Sequence, residues 1–331
     1  MKKLCTLASF VIFTLLFCGL VFAAPITIKL AHPNVPAHPM GEGYELFKKD
    51  LEQRSNGAFK VEIFDSSKYG NFDAVVQGLQ MGVLHMGSDA CNNLSVFNPR
   101  LMMFDMPFLI DTYEQADLLT DGPLGDALAR SLEKNKIIGL GYIDIGFRNV
   151  FSSVPVRTLE DAKNLKIRAT HSKAHIGILN ALGMNPTPVA WGEVYTALQQ
   201  KTVDAVDIDL NLGYFNKFQE ITKYVTLTRS FYSPHLVMVS KPFFEKLDAQ
   251  HQEWIRESFL VMQKFERNLI RSNEAMIIDK IKEGGGEIIE LSPAERERWL
   301  EATAGIIPQF SKEVPPNVIE QIKKTIAEGK K

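Results

Sequence analysis

Apolar and polar residues alternate strictly through FKVEIF (Phe59 to Phe64), the period of a strand with one buried face. ITIKLAH (Ile26 to His32) also reads as a strand. Between them Met40, Tyr44, Phe47 and Leu51 recur at steps of four, three and four, which predicts a helix closed by the turn pair Asn56-Gly57. A second helix is expected to carry Phe72, Val75, Val76 and Leu79 on one face, with Val83 to Met86 following as a short apolar strand. This βαβαβ series predicts a largely parallel sheet whose ligands meet the carboxyl ends of its strands.

The same pattern restarts mid-chain. IIGLGYIDIG (Ile137 to Gly146), RNVFSS from Arg148, and LKIRAT read as strands, AHIGILNALG (Ala174 to Gly183) as a helix, and VAWGEVYTALQQKTVDAVDID as a helix and then a strand ending in acids. Two α/β series in succession suggest two lobes. From Asp248 to Lys282 there is no Pro or Gly, and Trp254, Val261, Phe265 and Leu269 recur at helical spacing. At about 1.5 Å per residue such a helix spans about 50 Å, more than one lobe, so it is expected to brace both until Gly284 to Gly286 stop it.

Composition changes the picture little: 331 residues, 45% hydrophobic and 23% charged, are ordinary globular material for about two domains. A formal charge of -2 gives no electrostatic reason to invoke nucleic acid. Lys2 and Lys3 ahead of the apolar run Leu4 to Phe22 read as a secretory signal over residues 1–23, cleaved after Ala23. An uncleaved anchor is the less favoured alternative because the run is near the lower limit for spanning a bilayer, and lipid attachment at Cys18 would need a smaller neighbour than Phe17. Cys5 and Cys18 leave with the signal, so Cys91 remains alone and no intrachain disulfide is expected.

Candidate chemistry is sparse. There is no GxSxG, no GxxxxGK[ST] and no HExxH. His171 and His175, spaced i and i+4, suit a metal, but position 172 is Ser and no third ligand stands at a suitable spacing, so a solvated or core-edge pair is the better reading. Asp207 and Asp209 alternate onto one side of a strand end, as a carboxylate pair or simply as a polar strand terminus. Arg148 and Arg168 are more telling, because each stands where a sheet delivers its strand end to a cleft. A desolvated guanidinium without an anion costs several kcal/mol. Its partner is either a nearby aspartate or a ligand carboxylate gripped by the planar fork.

The ordered segments IKLAH, SSKYG, GLQMGVLHMG, DMPFLI, GFRNVFSS, LEDAKNLKIRAT, NPTPVAWGEVYTALQQKTVDAVD and KYVTLT resemble the substrate-binding protein of tripartite ATP-independent periplasmic (TRAP) transporters, the DctP type. The resemblance runs from about Ile26 into the long helix. It implies a two-lobed α/β periplasmic binding protein with a central cleft, divided as residues 24–145 plus about 234–272 (lobe I) and 146–233 plus about 273–331 (lobe II). It further implies that Arg168 salt-bridges the substrate carboxylate, that Arg148 contributes to the site, and that Trp191 lies beside the ligand. Asp207 stands where Glu is usual, Ile208 where Asn is common, and Ser230 where His occurs. Asp89, Asn92 and Asn93 of SDACNN, with His32, are the lobe I candidates. Tyr214 and Phe231 join Trp191 and Ile208 as an expected apolar wall, favouring a small hydroxy, keto or sugar acid, or a more apolar monocarboxylate, over sialic acid. If Asp207 faces the ligand it requires a hydroxyl or amine donor.

The role so implied is capture of a small organic acid in the periplasm and delivery to an ion-gradient-driven permease, by a monomer without metal or cofactor. A ligand sensor for a membrane receptor would share these features. A secreted enzyme would require a nucleophile or acid-base pair that the motifs lack.

Overall fold

In the computed structural model, which describes residues 24–329, two sheets carry the chain. The signal expected over residues 1–23 lies outside the described residues. The first sheet contains β1 (Ile26–Ala31), β2 (Phe59–Phe64), β3 (Met86–Ala90), β4 (Ile137–Phe147) and β10 (Tyr232–Ser240), in the order β2-β1-β3-β10-β4. The second contains β5 (Asn149–Ser152), β6 (Lys166–Ala169), β7 (Asn185–Pro188), β8 (Ala205–Ile208), β9 (Tyr224–Leu227) and β11 (Glu287–Glu290), in the order β11-β9-β5-β8-β6-β7. The two-lobed α/β architecture expected from the sequence is present.

Six helices matter for the site and its support: α1 (Pro39–Arg54), α2 (Phe72–Met81), α3 (Cys91–Leu94), α4 (Lys173–Ala181), α5 (Leu210–Phe215) and α6 (Ala249–Glu283). His38 caps α1 by accepting from the Met40 amide through Nδ1 (3.0 Å), and Pro39 supplies the preset first turn. Met40, Tyr44, Phe47 and Leu51 are all buried in the face that α1 lays on the first sheet. Asp248 caps α6 through the His251 amide (2.9 Å), and Gly285, at φ 83°, takes the left-handed turn that ends the run.

Three expectations are corrected. Both sheets are mixed: β10 runs antiparallel to β3 and β4, and β5 antiparallel to β8 and β9. The chain crosses from β4 straight into β5 and returns through β9 into β10, so the returning strand enters the first sheet reversed. The third strand starts at Met86, where a stretch from Val83 to Met86 was expected. Its residues are Met-Gly-Ser-Asp-Ala, buried throughout, so they lack the apolar run and the alternation that would announce a strand. On α6 the helical period is right but the face is not. Val261 and Phe265 are exposed, while Ile255, Phe259, Met262 and Ile270 make the buried stripe.

Helix α6 is the brace that its length predicted. Arg267 and Arg271 hold it to the first sheet's side: Arg271 Nε meets Asp144 Oδ2 at 2.7 Å, and Arg267 Nη1 meets Asp121 Oδ2 at 2.6 Å. Between these two arginines the Ile270 carbonyl accepts from Asn211 Nδ2 of α5 (3.1 Å), and further along Ile277 and Ile281 join the core that contains Val206 and Val225 of the second sheet. No helix among the described residues is long and apolar enough to cross a membrane.

Candidate functional site

Arg148 lies at the crossing from β4 to β5. Its amide donates to the Phe231 carbonyl (3.0 Å) and its carbonyl accepts from the Ser230 amide (3.1 Å), so the two chain crossings run side by side there. Its side chain is buried; Nη1 donates to the Asp207 backbone oxygen (2.6 Å) and Nη2 reaches Ser233 Oγ at 3.4 Å, leaving Nε without a partner. Phe231 lies under the guanidinium, 5.4 Å from carbon Cζ to ring centre.

Arg168 is 5% exposed on β6, and the alternation that placed Ile167 in the core does not leave it in water. Nε donates to the Val189 carbonyl (3.1 Å), and the Trp191 ring centre lies 5.9 Å from Cζ. Neither arginine forms an ion pair with a carboxylate of the described residues, so the aspartate partners that spacing allowed are not used. Burial, then the neighbouring Arg148, pull the Arg168 pKa down to about 9, with Asp207 opposing. Two guanidinium groups thus share a dry region with only partial compensation.

Asp207 turns its carboxylate elsewhere. Oδ2 is 2.9 Å from His175 Nε2, while Oδ1 is buried without a partner. The Thr170 amide donates to His175 Nδ1 (3.2 Å), which fixes the proton on Nε2 and makes that nitrogen the donor to Asp207. Burial holds the imidazole neutral, with a pKa lowered to about 4, although Asp207 pulls the other way. Asp209 is not paired with Asp207: it caps α5 through the Leu212 amide (2.8 Å). The two histidines considered as a metal pair separate, His175 buried in α4 and His171 exposed ahead of it. No group of three or more metal-ligating side chains occurs among the described residues.

From the first sheet's side, α3 brings Asn92, whose Nδ2 donates to Thr170 Oγ1 across the divide (3.4 Å). Asn93 and Asp89 are tied to each other instead, at 2.7 Å, and Asp89 also accepts from the Ala90 amide. Burial raises the Asp89 carboxyl to about 6. His32 stacks on Tyr44 with ring centres 5.1 Å apart, and its Nδ1 has no partner. Trp191 lines a recess of about 380 Å³ together with Pro33, Val35, Phe215 and Phe218, residues drawn from both halves of the chain. Tyr214 is not part of that lining; its neighbour Phe215 is. Ile208 belongs to the hydrophobic core, and Phe231 is fully buried between Arg148 and His175.

Two participants escaped the sequence reading. Asp105 of DMPFLI accepts a 2.6 Å hydrogen bond from Ser172 Oγ, and burial raises its pKa to about 7 in spite of Ser172, Arg148 and Asn92 nearby. His175 was read only as half of a metal pair. The signal for both was a polar residue inside an otherwise apolar segment, which alone does not tell a buried network from a solvated edge.

The model of the DctP family, bacterial extracellular solute-binding protein family 7, matches residues 30–313. The chain belongs to that family. Among DctP relatives, the 2,3-diketo-L-gulonate-binding periplasmic protein of Escherichia coli (strain K12) is 34% identical over 271 residues, 81% of this chain and 82% of that protein. The sugar acid binding protein DctPAm of Advenella mimigardefordensis strain DPN7T, solved with galactonate, superposes with a TM-score of 0.90 at 27% identity, over 92% of this chain and 99% of that one. A TRAP periplasmic solute-binding protein of Sulfurospirillum deleyianum DSM 6946 with bound succinate gives 0.87 at 28% identity, over 91% and 99%. The DctP family is one of solute-binding proteins and not of enzymes.

Proposed function

We propose that this protein captures a small organic acid in the periplasm, after removal of residues 1–23, and delivers it to a TRAP permease driven by an ion gradient. Arg168 is the anchor. The observation that carries this reading is a pair of buried guanidinium groups, Arg148 and Arg168, with which no carboxylate of the described residues forms an ion pair. A ligand carboxylate supplies the missing anion, and the terminal nitrogens of Arg168 offer it a planar fork. Trp191 forms the outer side of the anchor, between it and the recess. Relatives solved with galactonate and with succinate support a carboxylate ligand.

Lobe I is assigned residues 24–145 and 234–272, and lobe II residues 146–233 and 273–331, working as a monomer that hinges at the paired crossings beside Arg148. Titration calorimetry against a panel of organic acids tests the anchor. Arg168→Ala is expected to weaken binding at least a hundredfold, about 3 kcal/mol, and Arg168→Lys to recover little of it, since an ammonium cannot make the fork. Undiminished binding by Arg168→Ala removes the anchor.

A further inference from the structure

Beside the arginines, at the cleft end of the first sheet, three histidines converge. His32 follows β1, His38 caps α1 and His235 lies within β10, where it registers with Ala90 of β3. All three are buried, and each retains a ring nitrogen without a partner: Nδ1 of His32, Nε2 of His38 and Nδ1 of His235. They lie in one another's electrostatic field, and His235 also in that of Arg148. His38 meets Phe215 of the recess edge to face, ring centres 5.8 Å apart, which sets this group at the divide between the two halves. Burial keeps them neutral, with pKa values lowered to between about 3 and about 4.

Neutral imidazoles bring no positive charge to a second carboxylate, and Arg148 directs Nη1 and Nη2 to the Asp207 carbonyl and Ser233, whereas each imidazole can exchange a hydrogen bond with a hydroxyl or keto oxygen. His38 is a defined donor, because its Nδ1 already accepts from Met40. Two further unpartnered buried atoms, Asp207 Oδ1 and Asn92 Oδ1, are acceptors and want a hydrogen that an ionised dicarboxylate does not carry. Leaving such groups unpaired is costly, so the matching occupant presents hydroxyl hydrogens as well as oxygen acceptors.

Resting on the carboxylate reading above, we infer that the ligand is a hydroxylated monocarboxylate of the sugar-acid class. Its carboxylate lies on Arg168 and its hydroxyl-bearing chain runs toward His32, His38 and His235, with Asp207 and Asn92 accepting from it. These histidines choose between ligands; they do not anchor them.

Calorimetry on the mature protein tests this with four-carbon and six-carbon probes: erythronate against butyrate, and galactonate or gluconate against hexanoate, with succinate as the dicarboxylate. The best hydroxylated acid is expected to bind at least tenfold tighter than its deoxy counterpart and than succinate. His235→Leu removes one polar partner, and His38→Asn keeps an acceptor for the Met40 amide while removing the Nε2 donor. Each is expected to weaken the hydroxylated acid about tenfold and to leave the deoxy acid unchanged, a selectivity that a merely unfolded variant cannot produce. If succinate or a deoxy acid binds as well, Arg168→Ala abolishes that binding and neither histidine variant alters the preference, the histidine assignment is wrong and the carboxylate anchor stands. Binding that survives Arg168→Ala overturns the anchor and this inference together.

Discussion

Arg168 is a base whose surroundings are arranged against its charge. Its pKa is lowered from the usual guanidinium range to about 9, first through burial and then through Arg148. Above about pH 9 the unfolded chain holds a proton that the ligand-free folded protein releases, so this residue lowers stability in full below about pH 9 and the penalty fades as pH rises beyond it. A bound carboxylate reverses the balance by favouring the cation. Affinity for the ligand is therefore expected to fall once pH passes about 9, as the free protein loses the Arg168 proton, over and above any change that Asp105 brings as it ionises through about 7. Calorimetry on either side of about pH 9 checks it, and an affinity that does not fall there would contradict it. The neutral His175, by contrast, holds the Asp207 carboxylate in place and leaves one oxygen free.

At the scale of elements, Ser172 performs two tasks. Its hydroxyl accepts from the His175 amide at the start of α4 (3.4 Å) and donates to Asp105 on the opposite side of the divide (2.6 Å). Asp105 has a folded pKa of about 7 against 3.8 unfolded, so the stability it contributes is full below about 4 and is lost as pH rises through 7. Asp105→Asn keeps an acceptor for Ser172 and cannot ionise. Thermal denaturation is expected to show the variant losing less stability than the parent between about pH 5 and pH 8; parallel slopes would contradict this. Regular elements of this kind were legible: FKVEIF is a strand over the residues the alternation marked, and α6 runs from Ala249 to Glu283. What periodicity could not tell was which face of α6 is buried, since it carries apolar residues on two sides. Strand β10 escaped altogether. It is buried on both faces and contains Pro234 at a register shift, so neither alternation nor an uninterrupted apolar run announces it. Arg168 and Arg148 stood out as arginines at strand ends, but the His175–Asp207 pair, 32 residues apart in sequence, is set by tertiary packing alone.

For the molecule as a whole, the two halves touch through Asn92 with Thr170, Asp105 with Ser172, and His38 with Phe215. Helix α6 and the paired crossings at Arg148 are the covalent and packed links that opening need not break. Ligand can favour closure only by binding the closed form better, a preference expected to come from a carboxylate that joins Arg168 to groups on the opposite lobe. Solution X-ray scattering, recorded through a titration with the tightest-binding acid for the parent protein and for Arg168→Ala, tests this most directly. The parent's radius of gyration is expected to fall with ligand saturation while Arg168→Ala keeps its ligand-free profile throughout. A variant that contracts to the same extent at the same ligand concentration would contradict it.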